Sequence, residues 1–178
     1  MMANNLDLSP DAQLAFALAD LRGLAFSGRV GSGQHLAPGI CFSLDPEASN
    51  TVDVTSTPGE MMTARLGVDR PGRWLTLNLG IGTADLSGCS IIGFACKSDA
   101  AATTTSRVCL RRGVEGGHRD AFFAKTLVSY PKTALHLDVL DLAANPELVA
   151  PAPWRELVIF FEIASAEICL RDFRFFAI

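Results

Sequence analysis

The sequence predicts an all-β domain, an antiparallel β-sandwich or jelly roll with a short N-terminal helix. Three observations predict it. From residue 60 onward, short segments of alternating apolar and polar residues recur at roughly 8–20-residue spacing, with turn residues between them. No helical pattern between these segments is long enough for the crossover that a parallel pair requires. The chain has 178 residues, 49% hydrophobic and 19% charged, so it can bury one sizeable core without disulfides or metal.

Residues 1–59 are read as an N-terminal segment of the same domain and residues 60–178 as the sandwich core. Ser9-Pro10-Asp11 reads as a helix start, with Ser9 as N-cap, Pro at the first helical position and an acid in the first turn. Leu14, Ala17, Leu18 and Leu21 follow helical spacing. Leu14, Phe16 and Leu18 also alternate, as in a strand; Ala and Leu favour the helix because both are good helix formers. Gly23 ends it. Residues 28–39 contain four Gly and a Pro and read as a loop. Residues 40–44 and 51–55 are short strands.

Beyond residue 60, Met62, Ala64, Leu66 and Val68 alternate with polar or small residues. Residues 69–72 turn the chain. Leu75, Leu77 and Leu79 alternate with Thr76 and Asn78, and residues 85–88 turn again. Residues 90–97 are apolar on both faces, which predicts a central strand. In residues 107–111, Val108 and Leu110 share one face and Arg107, Cys109 and Arg111 the other. Leu135, Leu137 and Val139 point one way, His136 and Asp138 the other. Residues 155–163 are again apolar on both faces. In the last strand, Ile168 and Leu170 set a phase that Phe173 and Phe175 continue shifted by one, which predicts a bulge near Arg171-Asp172.

The formal net charge is −4, and no basic run extends beyond Arg111-Arg112. Nucleic-acid binding draws on a basic surface that releases counterions, so nucleic acid is excluded as the expected partner. The longest apolar runs are about six residues, far from the roughly twenty of a membrane span. The five Cys are odd in number and none has C-x-x-C spacing. With no secretory leader pattern, this predicts reduced thiols and a cytoplasmic protein.

From about residue 60 to the end, the chain resembles the galactose-binding-domain-like jelly rolls, a group that includes many carbohydrate-binding modules. The resemblance is carried by RWLTLNLGIG, DLSGCSIIGFACKS, RVCLRR, PWRELVIFFEI and the closing EICLRDFRFFAI. It covers about two-thirds of the chain and is one of strand order and hydrophobic rhythm. It implies sugar or glycan binding on the concave sheet face or at the loops of one end. Such modules commonly stack sugars on exposed Trp and Tyr, whereas this chain has two Trp, one Tyr and eleven Phe. Polar readout by Arg, His and Asp is then the expected route. The resemblance also implies a structural Ca²⁺ near the N-terminal strand, for which Asp45, Glu47 and Asp172 are the candidate ligands. Ca²⁺ takes six to eight oxygens, and the sequence names only these few side chains for it.

The candidate ligand-binding residues fall into three groups. His136 and Asp138 share a strand face, and Arg111 joins them if it lies on a neighbouring strand of the same sheet; the plain alternative is a solvated sheet face. His118, Arg119 and Asp120 lie in a polar segment after Gly116-Gly117, read as a flexible loop. Trp154 follows two prolines that restrict its approach to the strand; its plain alternative is a plug at one end of the sandwich.

Catalytic signatures are absent: there is no G-x-S-x-G, H-E-x-x-H or Walker loop. The sequence therefore predicts a non-catalytic carbohydrate-binding module, of the kind used in bacterial polysaccharide metabolism. The alternative is a protein-interaction or assembly module with the same fold. High apolar content and low charge favour that alternative and predict a homodimer. A small glycan-acting enzyme is the third reading.

Overall fold

A computed structural model describes residues 9–178. Helix α1 (Ala12–Gly23) buries Leu14, Ala17, Leu18 and Leu21. Four strands follow: β1 (Phe26–Arg29), β2 (His35–Ala37), β3 (Ile40–Leu44) and β4 (Ser49–Ser56). The next four are β5 (Met62–Arg70), β6 (Leu75–Gly82), β7 (Ile91–Ala100) and β8 (Thr104–Val114). Then come β9 (Gly117–Phe122), β10 (Leu127–Ser129), β11 (Ala134–Asp141), a 3₁₀ turn at Pro146–Leu148, β12 (Arg155–Phe161) and β13 (Ala166–Ala177).

Every pairing is antiparallel, and the strands form two sheets. Sheet I has the order β1-β4-β5-β13-β7-β11. Sheet II has the order β10-β8-β12-β6-β3-β2, with β9 also on β8. The inward residues of both sheets make one core, including Phe42, Phe94, Leu77, Val108, Leu110, Ile159 and Phe173. Phe94 sits at its centre, stacked on Phe173 at 5.6 Å and edge-on to Phe123 at 4.9 Å. The all-β antiparallel sandwich with one short helix is the fold that the alternation predicts. The N-terminal strands are woven into it: β3 pairs with β6, and β4 pairs with β5.

The predicted bulge lies in β13, where pairing with β7 slips between Leu170 and Asp172. Arg171 is the extra residue, and its side chain reaches Asp99 at 2.7 Å.

Four local expectations are corrected. Asp11, not Ser9, is the N-cap, and the Ser9 hydroxyl bonds the Asp11 carboxylate instead of a helix N–H. Residues 28–39 are not all loop, since β1 runs through Arg29 and β2 takes His35–Ala37. Residues 117–120 are not a flexible loop but the start of β9, which forms a hairpin with β8. Gly116 makes that hairpin tight with φ near +74°, a backbone region that glycine enters without steric cost. The polarity of β11 is also reversed from a solvated His136/Asp138 face. Asp138 is buried and His136 half-buried, while Leu135, Leu137 and Val139 are 71%, 49% and 40% exposed. Asp138 accepts the backbone N–H groups of Lys125 at 2.7 Å and Val139 at 2.9 Å, which ties the connection between β9 and β10 to the strand.

Candidate functional site

Alternation along β8 turns Val108 and Leu110 into the core and leaves Arg107, Cys109, Arg111 and Gly113 on the outer face of sheet II. Strand register then assembles that face. Arg111 lies opposite Asp120 of β9 and Glu156 of β12. Cys109 lies opposite Phe122 and Val158, and Val158 lies opposite Asn78 of β6. Arg107 lies opposite Phe160, and Phe160 opposite Thr76.

These residues form one connected polar network. Arg111 donates from Nε and Nη2 to the two Asp120 oxygens at 2.7 and 2.8 Å. Its Nη1 lies 3.7 Å from Glu156. The Asn78 side-chain amide donates to Glu156 at 3.0 Å, and the Thr76 hydroxyl donates to Asn78 Oδ1 at 2.7 Å. The hydrogen bond to Asp120 raises the Arg111 pKa, against the opposing pull of burial. The guanidinium is thus fixed in plane by a bidentate carboxylate.

Aromatic rings frame the network. The Arg107 guanidinium sits 4.0 Å over the Phe122 ring, and that of Arg111 lies 5.6 Å from the Phe160 centroid. Phe122 and Phe160 are 5.7 Å apart. At the other end Trp154 lies on Gly113, where a Cβ would meet the indole Nε1 at 2.6 Å. Trp154 and Phe122 remain 39% and 37% exposed. The two ends are about 13 Å apart, four residues along β8. Cys109 and Val158 on this face are fully buried, although neither belongs to the core cluster. The surrounding long side chains cover them. Burial pushes the Cys109 thiol up to about 12, so it stays protonated at neutral pH.

The structure therefore brings together four of the seven expected ligand residues. Arg111, Asp120 and Trp154 share the outer face, and His118 lies opposite Gly113 in the same phase. Arg119 lies opposite Arg112 and takes the other phase of β9. His136 and Asp138 belong to the other sheet and face inward, so the expected joint face with Arg111 does not exist. His136 stacks on Phe94 at 5.5 Å, and burial lowers its pKa.

The expected Ca²⁺ ligands do not converge. Asp45 lies beyond the Arg70 end of β5 and Asp172 beyond its Met62 end. Asp45 accepts the Arg73 backbone N–H at 2.7 Å and Nε at 3.1 Å, and Glu47 lies 3.5 Å from the same guanidinium. Asp172 bonds Arg22. Carboxylates already matched to arginines at opposite ends of a strand do not fit a single Ca²⁺ site. Among the described residues, no three His, Cys, Asp or Glu side chains group as metal ligands.

The sequence reading missed Thr76, Asn78, Phe122, Glu156 and Phe160. The signal for Phe122 was present as the alternation His118, Asp120, Phe122. Asn78 sits between two leucines and Glu156 between Arg155 and Leu157, and only cross-strand register joins them.

No family model matches the chain, and no curated protein matches it by sequence. Solved structures share its fold. A family 4 carbohydrate-binding module superposes with a TM-score of 0.61 at 12% identity, covering 84% of this chain and 94% of that one. The CBM22-1 xylan-binding domain from Paenibacillus barcinonensis gives 0.54 at 12% identity, covering 86% and 97%. The N-terminal cellulose-binding domain of a Cellulomonas fimi β-1,4-glucanase gives 0.52 at 12% identity, covering 85% and 89%. The fold of this chain is a β-sandwich jelly roll of the carbohydrate-binding-module type.

Proposed function

We propose that the protein is a non-catalytic carbohydrate-binding module that holds an uncharged glycan against the outer face of sheet II, in bacterial polysaccharide metabolism. One observation carries this reading: a hydrogen-bonding network from Asp120 to Thr76 lies between exposed aromatic surfaces at Trp154 and Phe122. Aromatic faces stack on the apolar faces of sugar rings, and fixed amide, guanidinium and carboxylate groups pair with hydroxyls. The charges on the face cancel, with Arg107 and Arg111 against Asp120 and Glu156, which favours a neutral ligand. The fold neighbours, described as xylan- and cellulose-binding, support the same ligand class. Titration calorimetry with soluble xylan, a soluble cellulose derivative and mixed-linkage glucan tests the reading. Saturable binding that Trp154→Ala removes supports it; no binding to any neutral glycan overturns it.

The exposed stripe of Leu135, Leu137 and Val139 favours a second reading, assembly with another copy of the chain. Three large apolar residues on an edge strand are a known liability for association. Lys125 limits strand addition there, because its Nζ donates to the Leu137 carbonyl at 2.8 Å. Sedimentation velocity at micromolar concentration tests this reading. A dimer mass that Leu137→Lys converts to a monomer supports it, and a wild-type monomer removes it.

A further inference from the structure

Three arginines stand in one cross-strand row at the end of sheet II. Arg155 on β12 lies opposite Arg112 on β8, and Arg112 lies opposite Arg119 on β9. Adjacent strands are about 4.8 Å apart, so the three side chains leave the same face of the sheet from neighbouring positions. Like charges directly opposite one another repel.

Arg155 has its own solution. It is buried, and it donates to the carbonyls of Ala84 at 2.6 Å, Ala150 at 2.6 Å and Leu148 at 3.3 Å. Arg112 and Arg119 have none. Among the described residues, neither guanidinium reaches a carboxylate within ion-pair distance or donates a hydrogen bond. The Arg112 Nε is shielded from solvent and without a partner. The other arginines all engage a neighbour: a carboxylate, a backbone carbonyl or an aromatic ring.

A cavity of about 460 Å³ opens beside this pair, lined by Arg112, Arg119, Asp120, Ala121, Glu147 and Leu148. Both Asp120 oxygens are already engaged by Arg111. Glu147 lies at the cavity beyond ion-pair range of both arginines.

We propose that Arg112 and Arg119 form an oxyanion-binding site that takes a carboxylate or phosphate group. Two planar guanidinium forks on adjacent strands present paired donors of the kind that hold such groups bidentately. Arg155 adds positive field from the third position of the row. The bound anion relieves the repulsion that the bare row carries. Its two arginines occupy the opposite phase of the β8–β9 hairpin from the aromatic face, and Asp120 alone borders both sites.

The test is a titration of inorganic phosphate and, separately, of D-glucuronate at constant ionic strength, with sodium chloride as the control. The readouts are the Arg112 Nε–Hε resonance and the melting temperature. A saturable shift is expected with at least one of the two anions, accompanied by a rise in melting temperature. Arg119→Gln, an exposed position, is expected to weaken it about tenfold or more while the variant's own melting temperature stays at or above wild type. A response to phosphate alone assigns a phosphoryl ligand, and a response to glucuronate alone assigns an acidic sugar. An equal response to chloride, an unchanged affinity in Arg119→Gln, or no response to either anion overturns the proposal.

Discussion

Arg111 and Asp120 face each other across the β8–β9 hairpin, joined by two parallel hydrogen bonds of 2.7 and 2.8 Å. Both side chains are mostly shielded. The pair fixes a donor plane between Glu156 and the Phe160 ring.

That geometry makes Arg111→Ala a blunt probe, because truncation also uncovers Cys109 and Val158 and strands two carboxylates. Asp120→Ala is sharper. It removes the bidentate partner and leaves Arg111 mobile beside Glu156. The expected result is a loss of about 1.5–3 kcal/mol of stability, the scale of a hydrogen bond to a charged group. Neutral-glycan affinity should fall about tenfold with it. Urea denaturation and calorimetry on one preparation measure both; unchanged glycan affinity would place the ligand elsewhere.

Trp154 offers a probe that spares the network. Gly113→Ala places a Cβ where the indole now lies, 2.6 Å from Nε1 and 2.7 Å from Cε2. The ring is half-exposed and free to swing away, so the fold should survive with a cost below about 1 kcal/mol. The displaced ring should red-shift its emission, read in a Trp74→Phe background so that one indole reports. Glycan affinity should drop as it does in Trp154→Ala. An unmoved emission spectrum would show that the ring is not held over Gly113.

The sandwich itself was legible because period-2 alternation is a local signal. Even the β13 bulge was visible, as the slip from Ile168 and Leu170 to Phe173 and Phe175. The site was legible only in fragments. Arg111, Asp120 and Trp154 carry chemistry that stands out in sequence, but their meeting depends on the β8–β9 and β8–β12 register. The reversal at β11 shows the limit of alternation. It says that Leu137 and Asp138 face opposite ways, not which of them faces the core. Hydrophobicity favours Leu137 inside, and two backbone N–H groups captured by Asp138 decide otherwise. The arginine row was invisible for the same reason as Asn78–Glu156: only register aligns it.

Arg155, next to Trp154 in the chain, predicts a stability effect of its own. Its guanidinium ties the connection before β7 to the end of the 3₁₀ turn and the segment after it, through the carbonyls of Ala84, Leu148 and Ala150. Burial lowers its pKa, and the Arg112 charge adds to that effect. Arg155→Met keeps the length and removes the donors, leaving three carbonyls without their partner. The expected loss is about 2–4 kcal/mol, read as a lower urea midpoint with an unchanged m-value. A variant as stable as wild type would mean that water replaces all three bonds.

Asp45 sets an acid limit on the fold. Its carboxyl is drawn down to about 2, first by the Arg73 side-chain hydrogen bond, then by the backbone N–H of Arg73, with burial opposing and the Glu47 N–H assisting. An unfolded Asp titrates near 3.9. Below that value the unfolded chain takes up a proton that the folded site still refuses. The contribution of Asp45 is therefore complete above about pH 4 and is lost as pH falls from there through about 2. Asp45→Asn should lower the urea midpoint at neutral pH, because it gives up the ion pair with Arg73. It should also lose less stability than wild type across that acid window, so the two curves converge at low pH. Parallel curves over the same window would show that Asp45 titrates alike in the folded and unfolded chains.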